Sequence, residues 1–211
     1  DEAKGKLPKN TEALTGHALA LKWARTSDYS EILKRGPGGK GFKYTNAKAI
    51  AKHLNISDKE MTVSIEKKDG GSELKSLDGV GKYFAARKIL ENYQRSDRDK
   101  ITEKDLLDSV YDVPNENDRK ELLGIAEKLW NDRISNDGKT PVEFDTYRKL
   151  WAMSEPDLSK ESGLGKRDIL FIDEAQVTPP VLSKLVNSQK NIQKVVVGDS
   201  DQSIYGFSGN E

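Results

Sequence analysis

Four consecutive apolar residues, Ile169-Leu170-Phe171-Ile172, run straight into two acids, Asp173 and Glu174. A short unbroken apolar run of this kind reads as a parallel strand buried on both faces. Pro179-Pro180 then precede a short helical stretch, Val181 to Val186, and Val195-Val196-Val197 form a second apolar run ending at Gly198-Asp199. Strand, helix and parallel strand make the repeating unit of a doubly wound α/β domain.

The chain before this tail has a different texture. Residues 12–24 read as a short strand running into a helix with Leu19, Ala20 and Trp23 on one side. From Arg25 to about Lys166 the sequence is charged, glycine-punctuated and mostly helical by period. Thr45 is placed to cap a helix carrying Ala47, Ile50, Ala51 and Leu54, which Asn55 ends. Tyr83, Ala86, Leu90 and Tyr93 share one helical face, and Leu122, Ala126, Leu129 and Trp130 share another. Thr102 and Asp105 suggest a capped helix start between them. Phe144, Tyr147, Leu150 and Trp151 line a last amphipathic helix before Pro156, so these aromatics are expected to form a helical core. Segment 57–81 fits either a helix capped by Ser57 and Glu60 or a strand in which Val63 and Ile65 alternate ahead of Asp69-Gly70-Gly71.

Composition removes several functional classes. Lys+Arg and Asp+Glu number 35 each, so any contact with nucleic acid or anionic lipid has to come from a local patch. There is no cysteine, hence no disulfide or thiolate zinc site, and two histidines are too few for a histidine-rich metal site. No run of about 18 apolar residues is present to span a membrane. The expectation is an intracellular protein without a membrane partner, cytoplasmic in a prokaryote or phage and nuclear in a eukaryote. The first residue is Asp1, and Glu211 follows a glycine-containing motif, which suggests a piece of something longer.

The acids that close the first apolar run suggest phosphate chemistry. In P-loop nucleotide hydrolases such a strand ends with a carboxylate that holds magnesium. Asp173 suits that role, usually through water, because Mg²⁺ keeps much of its hydration shell. Glu174 is placed to orient and deprotonate the water that attacks the γ-phosphate. Ala175-Gln176 follow at once, and a second motif, Gly198-Asp199-Ser200-Asp201-Gln202-Ser203-Ile204-Tyr205-Gly206-Phe207-Ser208-Gly209, follows the second strand. It offers a neutral amide, Gln202, and two aromatics, Tyr205 and Phe207, which can stack unpaired bases. Lys34, Arg35, Lys40 and Lys43 lie beside Phe42 and Tyr44, a local basic patch suited to DNA phosphates or a solvated loop.

Together these motifs resemble the UvrD/Rep group of superfamily-one DNA helicases, with patterns close to D-E-x-Q and G-D-x-x-Q-S-I-Y. The look is nearest to the F-box DNA helicase branch and its prokaryotic or phage relatives, through Tyr147-Arg148-Lys149-Leu150-Trp151 and Ser154-Glu155-Pro156; no F-box is visible. The resemblance implies ATP and Mg²⁺ as cofactors, with Asp173 as the magnesium carboxylate and Glu174 as catalytic base. Gln176 would help to organise the nucleotide site, and Gln202 would sense the γ-phosphate and couple it to DNA movement. It implies a 3′-to-5′ motor on single-stranded DNA and single/double-strand junctions, with Tyr205 and Phe207 stacking bases. Thr15 and His17, in Thr15-Gly16-His17-Ala18-Leu19-Ala20, match a T-x-H-x-L-A motif at the single-strand groove; by themselves they read as a threonine cap with an exposed histidine. Val177 stands where the family has Asp, and Ser208 where it has Arg.

The same resemblance calls for G-x-x-x-x-G-K-S/T, which cradles the phosphates. Gly138-Lys139-Thr140 has the last three residues, but Arg133 occupies the first glycine position and a charged helix precedes it, so it reads as a loop. Gly36-Pro37-Gly38-Gly39-Lys40-Gly41 fails as well, with Lys34 at the required glycine. The expected fold is therefore α/β: an incomplete RecA-like P-loop sheet from residues 1–24 and 167–211, interrupted by a mainly α-helical inserted domain over 25–166. Such a piece would be inactive as an ATPase and would depend on the remaining domains of its parent helicase. The alternatives are a naturally truncated, non-catalytic DNA- or protein-binding module, and a magnesium nuclease built on Asp173 and Glu174, for which no clustered acidic motif is evident.

Overall fold

Thr15 starts the first helix. In a computed structural model describing residues 8–9, 11–36, 46–66, 71–109, 111–160 and 169–199, its hydroxyl accepts the Ala18 N–H at 3.1 Å and opens α1, Gly16–Thr26. Ala20 and Ala24, four residues apart, are fully buried on one face of α1. Residues 11–15 pair with no described strand, so the short strand expected ahead of this helix is not formed there. After a 3₁₀ turn at Glu31–Arg35 comes α2, Ala47–His53. Its cap is Asn46, whose side chain accepts the Lys48 N–H at 2.9 Å, in place of the expected Thr45, which lies outside the described residues. Asn55 does end it, in the left-handed region at φ 51°.

The ambiguous segment is a hairpin. Strand β1, Met61–Glu66, pairs antiparallel with β2, Ser72–Leu77, and Met61 faces Leu77 across the ladder. Alternation decides it: Met61 and Val63 point into the protein and are buried, while Thr62 between them is exposed. A two-residue strand β3, Tyr111–Asp112, joins the other edge of β1, giving the order β2-β1-β3. The region expected to be mainly helical thus carries an antiparallel sheet as well.

Its helices follow the apolar period. They are α3, Gly79–Arg95, capped by Asp78; α4, Glu103–Leu107, opened by the reciprocal Thr102/Asp105 box; α5, Glu116–Ile134, capped by Asn115; and α6, Phe144–Met153. Tyr83, Ala86, Leu90, Tyr93, Leu122, Ala126, Leu129 and Trp130 are all buried as their spacing predicts. Phe144 is not: it is 51% exposed, because it sits at the first turn of α6, at the edge of the packed face. Gly124, inside α5, has open space where a side chain would go. Gly124→Ala is expected to raise stability by about 0.5–1 kcal/mol through helix propensity alone, read as a higher urea midpoint.

The tail gives β4, Ile169–Ile172, then α7, Pro180–Ser188, then β5, Gln193–Val196, with β4 and β5 parallel and in register from Ile169/Gln193 to Ile172/Val196. The strand–helix–strand order is as expected; the burial is not. Phe171 is 66% exposed and Val196 57% exposed, since among the described residues the parallel sheet has only two strands and α7 is the one helix between them in sequence. Leu170 alone of β4 packs against the main core.

Two apolar clusters hold these parts together. The first gathers Ala20 and Ala24 of α1, Ile50 of α2, Tyr93 of α3, Trp130 of α5, Trp151 of α6 and Leu185 of α7. The second packs Met61, Val63 and Leu77 of the hairpin against Ala85 and Ile89 of α3, Leu106 of α4 and Leu122 of α5. Helices α3 and α5 serve both.

Lys149 of α6, 1% exposed, ties the loop after α3 to the first cluster. Its Nζ donates to the carbonyl oxygens of Ser96 and Arg98 at 2.8 and 2.5 Å and lies 4.3 Å from the centre of the Tyr93 ring. Burial pushes its ammonium down to about 8. The unfolded chain, with the ordinary lysine value of 10.5, then binds more protons than the folded one between these limits, so this group makes stability rise with pH from about 8 to 10.5. That rise is expected to be missing from Lys149→Met, measured by urea unfolding of both proteins at several pH values across the window.

Candidate nucleotide and nucleic-acid site

The chain leaves β4 at Ile172 and turns sharply at the acids. Asp173 Oδ1 accepts the Glu174 N–H at 3.0 Å, and Glu174 itself sits in the left-handed region at φ 53°, ψ 44°. A non-glycine residue in that region carries strain, and such residues concentrate at functional sites. A 3₁₀ turn follows at Ala175–Val177. Both carboxylates face solvent at the carboxyl end of the parallel strands, where α/β sheets place their ligands.

Gln176 joins this turn to the end of the next strand. Its Nε2 donates to Glu174 Oε2 at 2.5 Å, and its Oε1 accepts the Asp199 N–H at 3.1 Å. The main chain is stitched alongside: the Ala175 N–H donates to the Val197 carbonyl at 3.0 Å, and the Val197 N–H to the Ile172 carbonyl at 2.8 Å. A Cβ on Gly198 would lie 2.6 Å from Gln176 Oε1 and 3.1 Å from the Ala175 nitrogen, so a side chain there would push the Gln176 amide out of its bridge. Asp173 and Glu174 supply the hard oxygen donors that Mg²⁺ prefers. Among the described residues no group of three or more acids or histidines could hold a metal ion.

Thr15 and His17 lie on a second surface. Thr15 is exposed and caps α1, whereas His17 is half-buried against α6 and not the exposed histidine that a bare cap would leave. The Phe144 ring meets the imidazole edge-on at 5.5 Å, and Arg148 Nη1 lies 3.3 Å from His17 Nε2. Arg148 Nη2 pairs with Asp145 Oδ1 at 2.8 Å, and Arg95 Nε donates to Asp145 Oδ2 at 2.9 Å. Burial, then the Arg148 charge, lowers the His17 pKa, with Asp145 opposing. Asp145 and Arg148 were absent from the sequence reading of this site; only their helical spacing from Phe144 could have suggested them.

The Gly138-Lys139-Thr140 stretch is a loop between α5 and α6, and its anion is internal. The N–H groups of Lys139 and Thr140 donate to Asp132 Oδ2 at 3.0 and 2.7 Å, and His53 Nε2 holds Asp132 Oδ1 at 2.6 Å. Gln202, Tyr205, Phe207, Lys40, Lys43 and Ser208 lie outside the described residues.

A family model of the UvrD/REP helicase N-terminal domain matches residues 8–211. The chain belongs to this family. Among its relatives, F-box DNA helicase 1 of Gallus gallus is 36% identical over 88 residues, which cover 40% of this chain and 8% of that protein. F-box DNA helicase protein 1 of Schizosaccharomyces pombe is 34% identical over 93 residues, 43% of this chain and 10% of that protein. The chain thus matches about a tenth or less of the length of these relatives. No solved structure matches it. Among the described residues of this UvrD/REP chain no helix is long and apolar enough to cross a membrane.

Proposed function

We propose that the chain is part of the first motor domain of an ATP-dependent 3′-to-5′ DNA helicase or translocase, with residues 1–24 and 167–211 belonging to the motor and 25–166 inserted in it. The observation that carries this reading is the Gln176 bridge: one amide holds the Glu174 carboxylate and the Asp199 N–H together, and so ties the acidic motif to the Gly198-Asp199 motif. Asp173 would hold Mg²⁺, which when bound polarises the phosphates and offsets their charge. Glu174 would take the proton of the attacking water, and Gln176 fixes the direction in which its carboxylate points. Gln202 would report the γ-phosphate to the DNA side. Thr15, His17, Lys40, Lys43, Tyr205 and Phe207 would face single-stranded DNA or a single/double-strand junction, in an intracellular setting.

The chain contains no G-x-x-x-x-G-K-S/T, so by itself it is expected to hydrolyse no ATP, with or without single-stranded DNA, in a phosphate-release assay. DNA-stimulated turnover abolished by Glu174→Gln would overturn the fragment reading. The missing loop equally favours a second reading, a non-catalytic DNA- or protein-binding module. Base stacking contributes about 1–3 kcal/mol per aromatic. Under either reading a Tyr205→Ala/Phe207→Ala double variant is expected to weaken single-stranded DNA binding by at least about tenfold, seen in fluorescence anisotropy at low salt. Absence of any binding by the parent chain would defeat the DNA-binding part of both.

A further inference from the structure

Arg148 is a cation in an unusual place: 6% exposed, on α6, and turned toward an imidazole. We propose that Arg148 is a positioning residue that fixes His17 as a neutral imidazole protonated on Nδ1, so that the first turn of α1 carries no titratable positive charge toward nucleic acid. This rests on the reading of His17 as a DNA-facing residue.

The argument starts from what a guanidinium can do. It carries only donors and keeps its charge at every accessible pH. With Arg148 Nη1 3.3 Å from His17 Nε2, that nitrogen has to offer its lone pair. The ring proton then belongs to Nδ1. A second proton would set N–H against N–H and place two cations in contact.

Arg148 is held in place from the far side. Asp145, three residues earlier on α6, accepts from it at 2.8 Å and from Arg95 of α3 at 2.9 Å, so two arginines share the one carboxylate that could otherwise favour an imidazolium. Phe144 contributes a ring edge, Leu182 of α7 lies against Gly16, and Tyr147 is a phenol whose pKa burial raises, with Arg148, Asp145 and then Arg25 of α1 acting on it. The lowered pKa of His17 agrees in direction, with burial as its largest cause and Arg148 next. His17 Nδ1 and Arg148 Nε are both buried and have no hydrogen-bond partner among the described residues. An unpaired buried N–H is a cost of this tautomer, which the guanidinium held against Nε2 offsets.

The experiment is an NMR titration of the uniformly ¹⁵N-labelled full chain, which has only two histidines, His17 and His53, so that a His53→Gln variant assigns both. In the parent chain His17 is expected to show a protonated-type Nδ1 and an unprotonated-type Nε2, with a midpoint below 6.5. In Arg148→Gln the midpoint is expected to rise, because Asp145 remains, while Arg148→Lys keeps it low. An Nε2-protonated ring in the parent chain, or an unchanged midpoint in Arg148→Gln, would overturn the proposal. If Arg148→Gln does not fold, the tautomer pattern of the parent chain decides alone. Single-stranded oligonucleotide binding adds a second readout: between pH 7.5 and 5.5 Arg148→Gln should gain at least about threefold in affinity relative to the parent chain. No DNA binding by either protein, with the tautomer pattern as expected, would defeat the DNA reading of His17 and leave the Arg148 assignment standing.

Discussion

Replacing Gly138 with alanine is expected to destabilise the protein by about 3 kcal/mol, lowering Tm by roughly 6–12 °C for a chain of this size. A Cβ at this position would stand 1.8 Å from the Asp132 carbonyl oxygen and 2.8 Å from Arg35 Nη1. Neither neighbour can yield cheaply. Asp132 belongs to the last turn of α5, and Arg35 donates to the carbonyl oxygens of Asp132, Arg133, Ser135 and Thr140, a fan of contacts that fastens the end of that helix. Either the loop moves and the Asp132 carboxylate loses the Lys139 and Thr140 N–H groups, or the Arg35 contacts break. Differential scanning calorimetry decides it: a Tm within about 2 °C of the parent would mean that the loop yields freely. This glycine serves the packing of a loop, whose N–H groups go to the Asp132 carboxylate and not to a phosphate.

Asp105→Ala should cost about as much or more, on the order of 3–5 kcal/mol for removing one partner of a buried ion pair. Its side chain is completely buried. It accepts from Arg98 Nε at 3.1 Å and Nη2 at 2.5 Å, and from the Thr102 N–H and hydroxyl at 2.7 and 3.1 Å. Alanine would leave a guanidinium that is four-fifths covered with only the exposed Asp108 carboxylate, 3.3 Å from Nη2, and leave the start of α4 without its box, next to Leu106 in the second cluster. Asp105→Asn keeps the shape and the acceptor oxygen and should lose clearly less. Equilibrium urea unfolding tests both, and a loss below about 1 kcal/mol in the alanine variant would show that water replaces the carboxylate. Because α4 is remote in sequence and packing from His17 and Glu174, DNA binding measured well below the transition should be unchanged.

Local chemistry made much of this fold readable from the residues. The periods that place Tyr83 with Leu90, or Leu122 with Leu129, need only a helix, and Asn55 after Leu54 needs only a left-handed stop. What escaped depends on distant partners. The hairpin at Met61–Leu77 was ambiguous because its apolar positions acquire meaning only when α3 and α5 cover them. Ile169 and Phe171 looked buried because a run of apolar residues states a preference, while burial also needs neighbours, and β4 pairs with β5 alone among the described residues. At the candidate site, Asp173, Glu174 and Gln176 were legible as a contiguous motif; the Gln176 bridge to Asp199 was not. The Arg148–His17 contact, 131 positions apart, leaves no trace in local pattern at all.

The distribution of indoles between the two clusters has a practical consequence. Trp23, Trp130 and Trp151, all the tryptophans of the chain, belong to or pack on the first cluster, and the second contains none. Tryptophan emission therefore watches the first cluster and has no reporter inside the second, where the hairpin packs. Far-UV circular dichroism sees both. If the hairpin peels away before the rest, its loss will register as a change in ellipticity under a constant emission spectrum, and the gap between the two curves will measure how tightly the clusters are coupled.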